Sequence, residues 1–280
     1  MRKETFGNCK LCGKYKKLTF EHVPPEKAFN SSAVKKFTGD EAMKLMAGTD
    51  DRMPWDLNGL SGKIQQRGSG DYYLCEECNN NTGSWYMTEY VRFSHIMGQV
   101  LGDAMINHPL STVCSISLND FYPLRVLKGI MTMFCDINHG CMGDDNLKEF
   151  LLNKESAAFD KDKYSLYLYL SKGPMWRIQS ISVLGSIYGG FVCLSEISTL
   201  PIGLILTIDN KTAKMPGLCI NDFANFKYDE KANAEFVGLP ILEVNSQIPA
   251  DFRNKDEIIK CINENKLAME SLQNKEEDIE

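Results

Sequence analysis

The chain has 280 residues, of which 43% are hydrophobic and 24% are charged. This composition is typical of a folded globular protein and excludes an intrinsically disordered chain. The formal net charge of −6 argues against a protein that holds nucleic acid by its overall charge alone. No run of about 18 apolar residues occurs, so we expect no membrane-spanning helix. The first residues, Met-Arg-Lys-Glu, contain no apolar signal segment, so we expect a cytoplasmic location.

The charged residues are unevenly distributed along the chain. Residues 1–37 hold nine Lys and Arg against three Asp and Glu, whereas residues 101–280 hold 17 against 25. We therefore expect a basic face near the N-terminus, with an acidic remainder that limits the overall affinity for DNA.

Two Cys-x-x-Cys pairs mark the first part of the chain, Cys9 with Cys12 and Cys75 with Cys78. Each pair puts two thiols on one turn, and two pairs supply the four soft ligands of a closed tetrahedral zinc site. We predict that these four cysteines bind structural zinc. The other six of the ten cysteines are predicted to be buried free thiols: Cys114, Cys135, Cys141, Cys193, Cys219 and Cys261.

The first predicted strand spans residues 18–23 and carries Glu21 and His22. Its Thr, Phe and Val residues favour a strand, and Pro24 and Pro25 end it. A Glu-His pair on an exposed strand is common and carries no function by itself. Between two zinc-type cysteine pairs, we interpret it as catalytic.

An insertion separates this strand from the second cysteine pair. We predict short helices over residues 26–37 and 40–46, followed by a glycine-rich loop over residues 48–70. A loop of this length is uncommon in a compact domain unless it is functional. Lys63 and Arg67 on this loop are candidate phosphate contacts.

The second predicted strand, residues 71–74, runs directly into Cys75. Asn79 is a favourable residue for opening the helix that follows, which we predict to start at residues 80–82. Apolar residues then recur at helical spacing over residues 84–107.

The order of these elements, Cys-x-x-Cys, then Glu21-His22-x-x-Pro25, then Cys-x-x-Cys-Asn79, resembles the HNH endonucleases of the ββα-metal type that carry a structural zinc. The resemblance covers about the first third of the chain. It implies a nuclease that uses one divalent ion, Mg²⁺ or Mn²⁺. It further implies that Glu21 and Asn79 bind this ion and that His22 is the general base.

One position departs from the family pattern. The middle Asn of the family is expected five residues before the third zinc cysteine, where this sequence has Gly70. We consider two replacements that would orient His22: the neighbouring Asp71, or a backbone carbonyl.

The remainder of the chain changes from helices to strands. We predict a strand over residues 112–118 and a helix over 121–137, and a charged helix over 251–272. Further strands are predicted over residues 164–171, 175–183, 188–194, 202–208 and 239–244. The predicted fold class is therefore α+β. An N-terminal zinc-stapled ββα-metal domain (1–108) is followed by helices and a mainly antiparallel β domain (109–280). We expect this second domain to act as a sensor or to dock a partner.

The function that we predict is DNA cleavage by a metal-dependent HNH-type endonuclease. By its architecture, it resembles restriction or phage-defence effectors. Two alternatives remain open. In one, the motif is a degenerate HNH scaffold that binds nucleic acid or protein without cleavage. In the other, residues 150–250 dock a protein partner. For either alternative, a homo-oligomer is also left open.

Overall fold

The computed structural model describes residues 4–47, 53–173, 175–185, 190–209 and 215–277. Its N-terminal part contains five strands and one helix: β1 (Thr5–Asn8), β2 (Tyr15–His22), β3 (Val34–Lys36), α1 (Gly39–Ala47), β4 (Lys63–Gln65) and β5 (Gly70–Cys75). Strands β1, β2 and β5 form an antiparallel sheet in that order, and β3 pairs with β4 in a separate hairpin. The cis peptide Val23–Pro24 follows the end of β2.

A nearly continuous helical segment follows β5. Helix α2 (Glu76–Thr82) begins directly after Cys75, and its two acidic first residues complement the helix dipole. A five-residue π-helical segment (Gly83–Met87) connects it to α3 (Thr88–Asn107).

The rest of the molecule is a seven-stranded sheet with helices. In chain order its elements are β6 (Val113–Phe121), α4 (Pro123–Ile137), α5 (Asp145–Leu152), β7 (Tyr164–Lys172), β8 (Arg177–Gly185), β9 (Phe191–Ser198), β10 (Ile202–Ile208), β11 (Leu218–Cys219), a 3₁₀ helix (Asn221–Asn225), β12 (Ala232–Glu243) and α6 (Lys255–Glu277). The strand order is β6-β12-β7-β10-β9-β8, with β11 paired to β7. The pairs are antiparallel except for β12 with β7, which is parallel.

Helix α4 is central to the packing. Pro123 opens it, where a missing N–H costs nothing. Thirteen of its 15 residues are buried, so it packs on nearly all sides. One hydrophobic cluster runs from Leu11 in the first cysteine turn, through Tyr86 and Phe93, to Leu204 in the large sheet.

The structure confirms a mixed fold of helices and strands and corrects several local predictions. Residues 26–37 are not a helix, because turns precede strand β3 there. The helix after Cys75 begins at Glu76, so Asn79 lies within it and does not open it. Helix α5 and the 3₁₀ helix lie in segments that were not predicted to be helical.

Other predictions differ only in their limits. The predicted strand 188–194 corresponds to β9, although residues 188–189 lie outside the described part of the chain. Residues 48–52 of the predicted loop also lie outside it. The prediction that the six remaining cysteines are buried is confirmed only for Cys135 and Cys141. Cys219 is exposed, and the other three are half-buried: Cys114, Cys193 and Cys261.

Candidate metal and catalytic site

Four cysteines meet at the edge of the three-stranded sheet. Cys9 and Cys12 lie on the turn between β1 and β2, Cys75 ends β5, and Cys78 lies in the first turn of α2. Their sulfur atoms all lie within 4.8 Å of one another. Sulfurs around a tetrahedral zinc ion lie about 3.8 Å apart, given a Zn–S bond of about 2.3 Å. The cluster therefore fits a metal ion such as zinc.

Hydrogen bonds within the cluster affect its thiols unequally, because they favour a thiolate on Cys9 and raise the pKa of the Cys78 thiol. A hydrogen bond with the Cys78 thiol lowers the pKa of Cys9 to about 4. Backbone hydrogen bonds in the turn act in the same direction. A thiolate is the form of cysteine that binds metal.

Glu21 and His22 are neighbours on β2, so their side chains project to opposite faces of the sheet. The His22 ring packs edge-on against Phe20, with ring centroids 5.0 Å apart, and Phe20 contacts Tyr72 in the same way at 5.6 Å. His22 thus belongs to a partly exposed aromatic face. Glu21 lies on the face that turns toward the protein interior.

A backbone carbonyl orients His22. Its Nε2 lies 2.7 Å from the carbonyl oxygen of Arg67, and because a carbonyl can only accept, Nε2 donates. In the neutral ring, Nδ1 then remains as the basic nitrogen.

Asn30 fixes the loop that supplies this carbonyl. Its Nδ2 donates to the carbonyl oxygens of Pro24 and Ser69 at 2.6 and 2.8 Å, and its Oδ1 accepts from the Ser69 amide at 2.7 Å. Gly68 passes so close that a Cβ there would lie 1.9 Å from the Asn30 carbonyl oxygen, and its φ of +83° suits glycine. The sequence analysis did not identify Asn30.

Asp71 does not orient His22. Asp71 lies opposite Glu21 in the β2–β5 register, so it projects to the other face from His22. Its Oδ1 accepts from the Tyr72 amide at 2.9 Å. Of the two replacements for the middle Asn, the structure shows the backbone carbonyl.

Gly70 has a packing role in this position. It lies opposite His22, and a Cβ on it would come within 2.3 Å of the Glu21 carbonyl oxygen. An Asn therefore cannot be placed there without moving the strand.

Glu21 is partly buried, and its Oε2 has no hydrogen-bond partner among the described residues. Burial raises the pKa of Glu21 to about 7. A buried carboxylate oxygen without a donor is costly unless a cation or a proton compensates it. Its chemistry fits a hard divalent ion such as Mg²⁺ or Mn²⁺.

Asn79 lies on the same side of β2 as Glu21. Its Nδ2 donates to the Thr19 hydroxyl at 2.9 Å, and Thr19 is two residues from Glu21 on the strand. The Thr19 hydroxyl in turn donates to the Leu74 carbonyl oxygen at 2.9 Å. Because the amide nitrogen is committed, Oδ1 of Asn79 is left as an oxygen ligand.

A basic surface lies beside the His22 loop. The β3–β4 hairpin and the loop after it carry exposed cations that form no ion pair within the described part of the chain: Lys35, Lys36, Lys63 and Arg67. We call these four residues the basic hairpin. Two of them, Lys63 and Arg67, are the candidate phosphate contacts predicted from the sequence.

No family model, curated protein or solved structure matches this chain. Among the helices that the structure describes, none has the length and apolar character needed to cross a membrane.

Proposed function

We propose that the chain is a metal-dependent endonuclease of the HNH type that hydrolyses DNA phosphodiester bonds. The observation that carries this proposal is the buried Oε2 of Glu21, which has no hydrogen-bond partner among the residues that the structure describes. Glu21 lies on the same side of β2 as Asn79. Together, Glu21 and Asn79 offer two oxygen ligands to a divalent ion. The four-cysteine cluster holds the strand and helix that present them.

The proposed site residues have separate roles in the reaction. Glu21 and Asn79 would hold Mg²⁺ or Mn²⁺, and the bound ion would stabilise the charge that develops on the phosphate. His22 Nδ1 takes the proton from the attacking water, because Nε2 donates to the Arg67 carbonyl oxygen. The phosphodiester would lie across the end of β2, with the basic hairpin in contact with neighbouring phosphates.

A plasmid-nicking assay with Mg²⁺, Mn²⁺ or no added divalent ion tests this function. We expect His22→Ala to lower cleavage by about 10²–10⁴-fold, because a general base acts in the transition state. The fold and the affinity for DNA should be retained. His108→Ala is the matched control, because His108 is an exposed histidine at the end of α3. Equal cleavage by wild type and His22→Ala under every ion would overturn the assignment.

A second candidate function is nucleic-acid binding without cleavage. The basic hairpin favours it, because its four exposed cations form no ion pair with any described residue and are available to phosphates. This candidate predicts salt-dependent DNA binding that is weakened when Lys35 and Lys63 are changed to Gln, and no cleavage with any ion. We further propose that this nuclease acts in restriction or phage defence, together with a protein partner or as a homo-oligomer.

A further inference from the structure

A second buried acid lies at the C-terminal end of α4. Asp136 is in the last turn of α4, is 1% exposed, and has no hydrogen-bond partner for either carboxylate oxygen among the described residues. An ionised carboxylate in such a place is strongly disfavoured unless a cation compensates it. The sequence analysis did not identify this residue, which is far from the motif along the chain.

The surroundings of Asp136 are acidic. Burial first, and then repulsion by the Glu21 carboxylate, raise the pKa of Asp136 well above its usual range. Cys9 and Cys141 act in the same direction, and Lys10 alone opposes them. Glu21 is the charged group that raises the pKa of Asp136 most, and both carboxyl groups contain oxygens without a hydrogen-bond partner in the part of the chain that the structure describes.

Backbone contacts hold the end of α4 against the cysteine turn. A Cβ on Gly140 would lie 2.5 Å from the Lys10 carbonyl oxygen, so the loop after α4 is packed directly on this turn. Lys10 also donates its amide to the Tyr73 carbonyl oxygen in β5 at 2.9 Å. Tyr73 and Ile137 line one cavity of about 530 Å³. The position of Asp136 beside the three-stranded sheet is thus fixed by the fold.

We infer that Asp136 is a ligand of the same divalent ion as Glu21, so that helix α4 completes the ion site of the N-terminal sheet. The inference rests on the proposed function for Glu21. One Mg²⁺ or Mn²⁺ would supply a partner to the buried oxygens of both carboxyl groups, and carboxylate oxygens are the ligands these ions prefer. The alternative is a single proton shared by the two acids, which requires no metal.

Direct measurement of Mn²⁺ binding distinguishes a shared divalent ion from a shared proton. Full-length, zinc-loaded protein is titrated with Mn²⁺ by calorimetry, and the free ion is followed by electron paramagnetic resonance. We expect Asp136→Asn to weaken Mn²⁺ binding by about 10-fold or more, as loss of a ligand should. Asp145→Asn, an exposed acid at the start of α5, is the control and should bind as wild type.

Thermal melting provides a second readout that does not depend on activity. Without Mn²⁺, Asp136→Asn should melt close to the wild-type temperature, because an uncharged amide of similar size replaces a carboxyl group whose ionised form burial disfavours. With Mn²⁺ it should lack the rise in melting temperature that wild type shows. Asp136→Ala is measured in parallel, so that a folding defect of one variant does not decide the result.

The outcomes separate this inference from the proposed function. If Glu21→Gln loses Mn²⁺ binding while both Asp136 variants bind as wild type, the inference is wrong and the proposed function stands. If wild type itself binds no Mn²⁺, the shared proton is favoured and both proposals fail.

Discussion

The side chain of Asn30 is fully buried and bonds to the backbone at Pro24 and at Ser69. Asn30→Ala removes three hydrogen bonds and leaves the Ser69 amide without its acceptor. We expect a loss of about 3 kcal/mol in the free energy of unfolding, measured by urea denaturation. Asn107→Ala is the control, because its side chain is exposed and bonds only to Asp103.

The same variant tests the orientation of His22. At temperatures where Asn30→Ala remains folded, we expect cleavage to fall on the order of 100-fold, because the Arg67 carbonyl is no longer held against the imidazole. Unchanged cleavage in a folded variant would mean that His22 does not need this loop.

Gly70 offers a direct test of whether the site has decayed from the family pattern. Gly70→Asn restores the expected residue type, but its Cβ would lie 2.3 Å from the Glu21 carbonyl oxygen and 2.8 Å from the Phe20 ring. We expect a destabilisation of about 2 kcal/mol and no gain in cleavage. Gly102→Asn in α3 is the control, because a Cβ there meets nothing within 4 Å. A rise in cleavage with Gly70→Asn would show that the glycine marks a lost function.

The cysteine cluster could be predicted from the sequence, whereas the positions of Asn30 and Asp136 in the site could not, for a physical reason. The four cysteines could be grouped because each pair encodes its own turn, and the structure brings them together. Asn30 and Asp136 act through contacts with residues far along the chain, and no local pattern indicates such contacts. The roles given to Glu21, His22 and Asn79 by resemblance stay predictions until cleavage and ion binding are measured.

At the scale of elements, helix α5 depends on Asp144 at its N-cap. The Asp144 carboxylate accepts from the amides of Asn146 and Leu147, from the Tyr164 hydroxyl at 2.9 Å and from Lys163 at 2.7 Å. Burial opposes ionisation, but these donors, led by Lys163, hold the pKa of Asp144 below its usual value. We expect Asp144→Ala to lower the free energy of unfolding by about 2 kcal/mol at pH 7, and Asp145→Ala to have little effect.

The sign of the pH dependence follows from the lowered pKa. The folded state holds the Asp144 carboxylate ionised at a lower pH than the unfolded chain does, so its contribution is fully present above the unfolded value of 3.8. It is lost as the pH falls through the folded pKa. The difference in stability between wild type and Asp144→Ala should be constant from about pH 8 to pH 5 and shrink below about pH 4. A difference that grows on acidification would contradict this account.

The elements themselves show where local signals suffice. Helix α4 and strand β10 were predicted within two residues of their observed ends. Each is an uninterrupted apolar segment. Pro123 marks the start of α4, and a turn marks the start of β10. The start of α2 was missed by about four residues. The end of the strand at Cys75 and the cysteine cluster determine where this helix begins. The preference of Asn79 for the first position of a helix does not determine it.

At the scale of the whole molecule, the hydrophobic core continues across the predicted boundary at residue 108. Leu11 and Cys9 belong to the same buried cluster as α4 and the large sheet, and the Cys141 loop packs on the first cysteine turn. The division into residues 1–108 and 109–280 stays a prediction. A shared core, however, implies that loss of the metal site affects both parts.

Zinc removal tests this dependence. Thiolate-bound zinc contributes on the order of 10 kcal/mol to folding in small domains, so chelation should lower the melting temperature of the whole chain in one transition. Limited proteolysis after chelation should leave no stable fragment of residues 109–280. Cys75→Ser should behave as the chelated protein, whereas Cys219→Ser, an exposed thiol outside the cluster, should melt as wild type. A protease-resistant C-terminal fragment with native circular dichroism would instead show two independent cores.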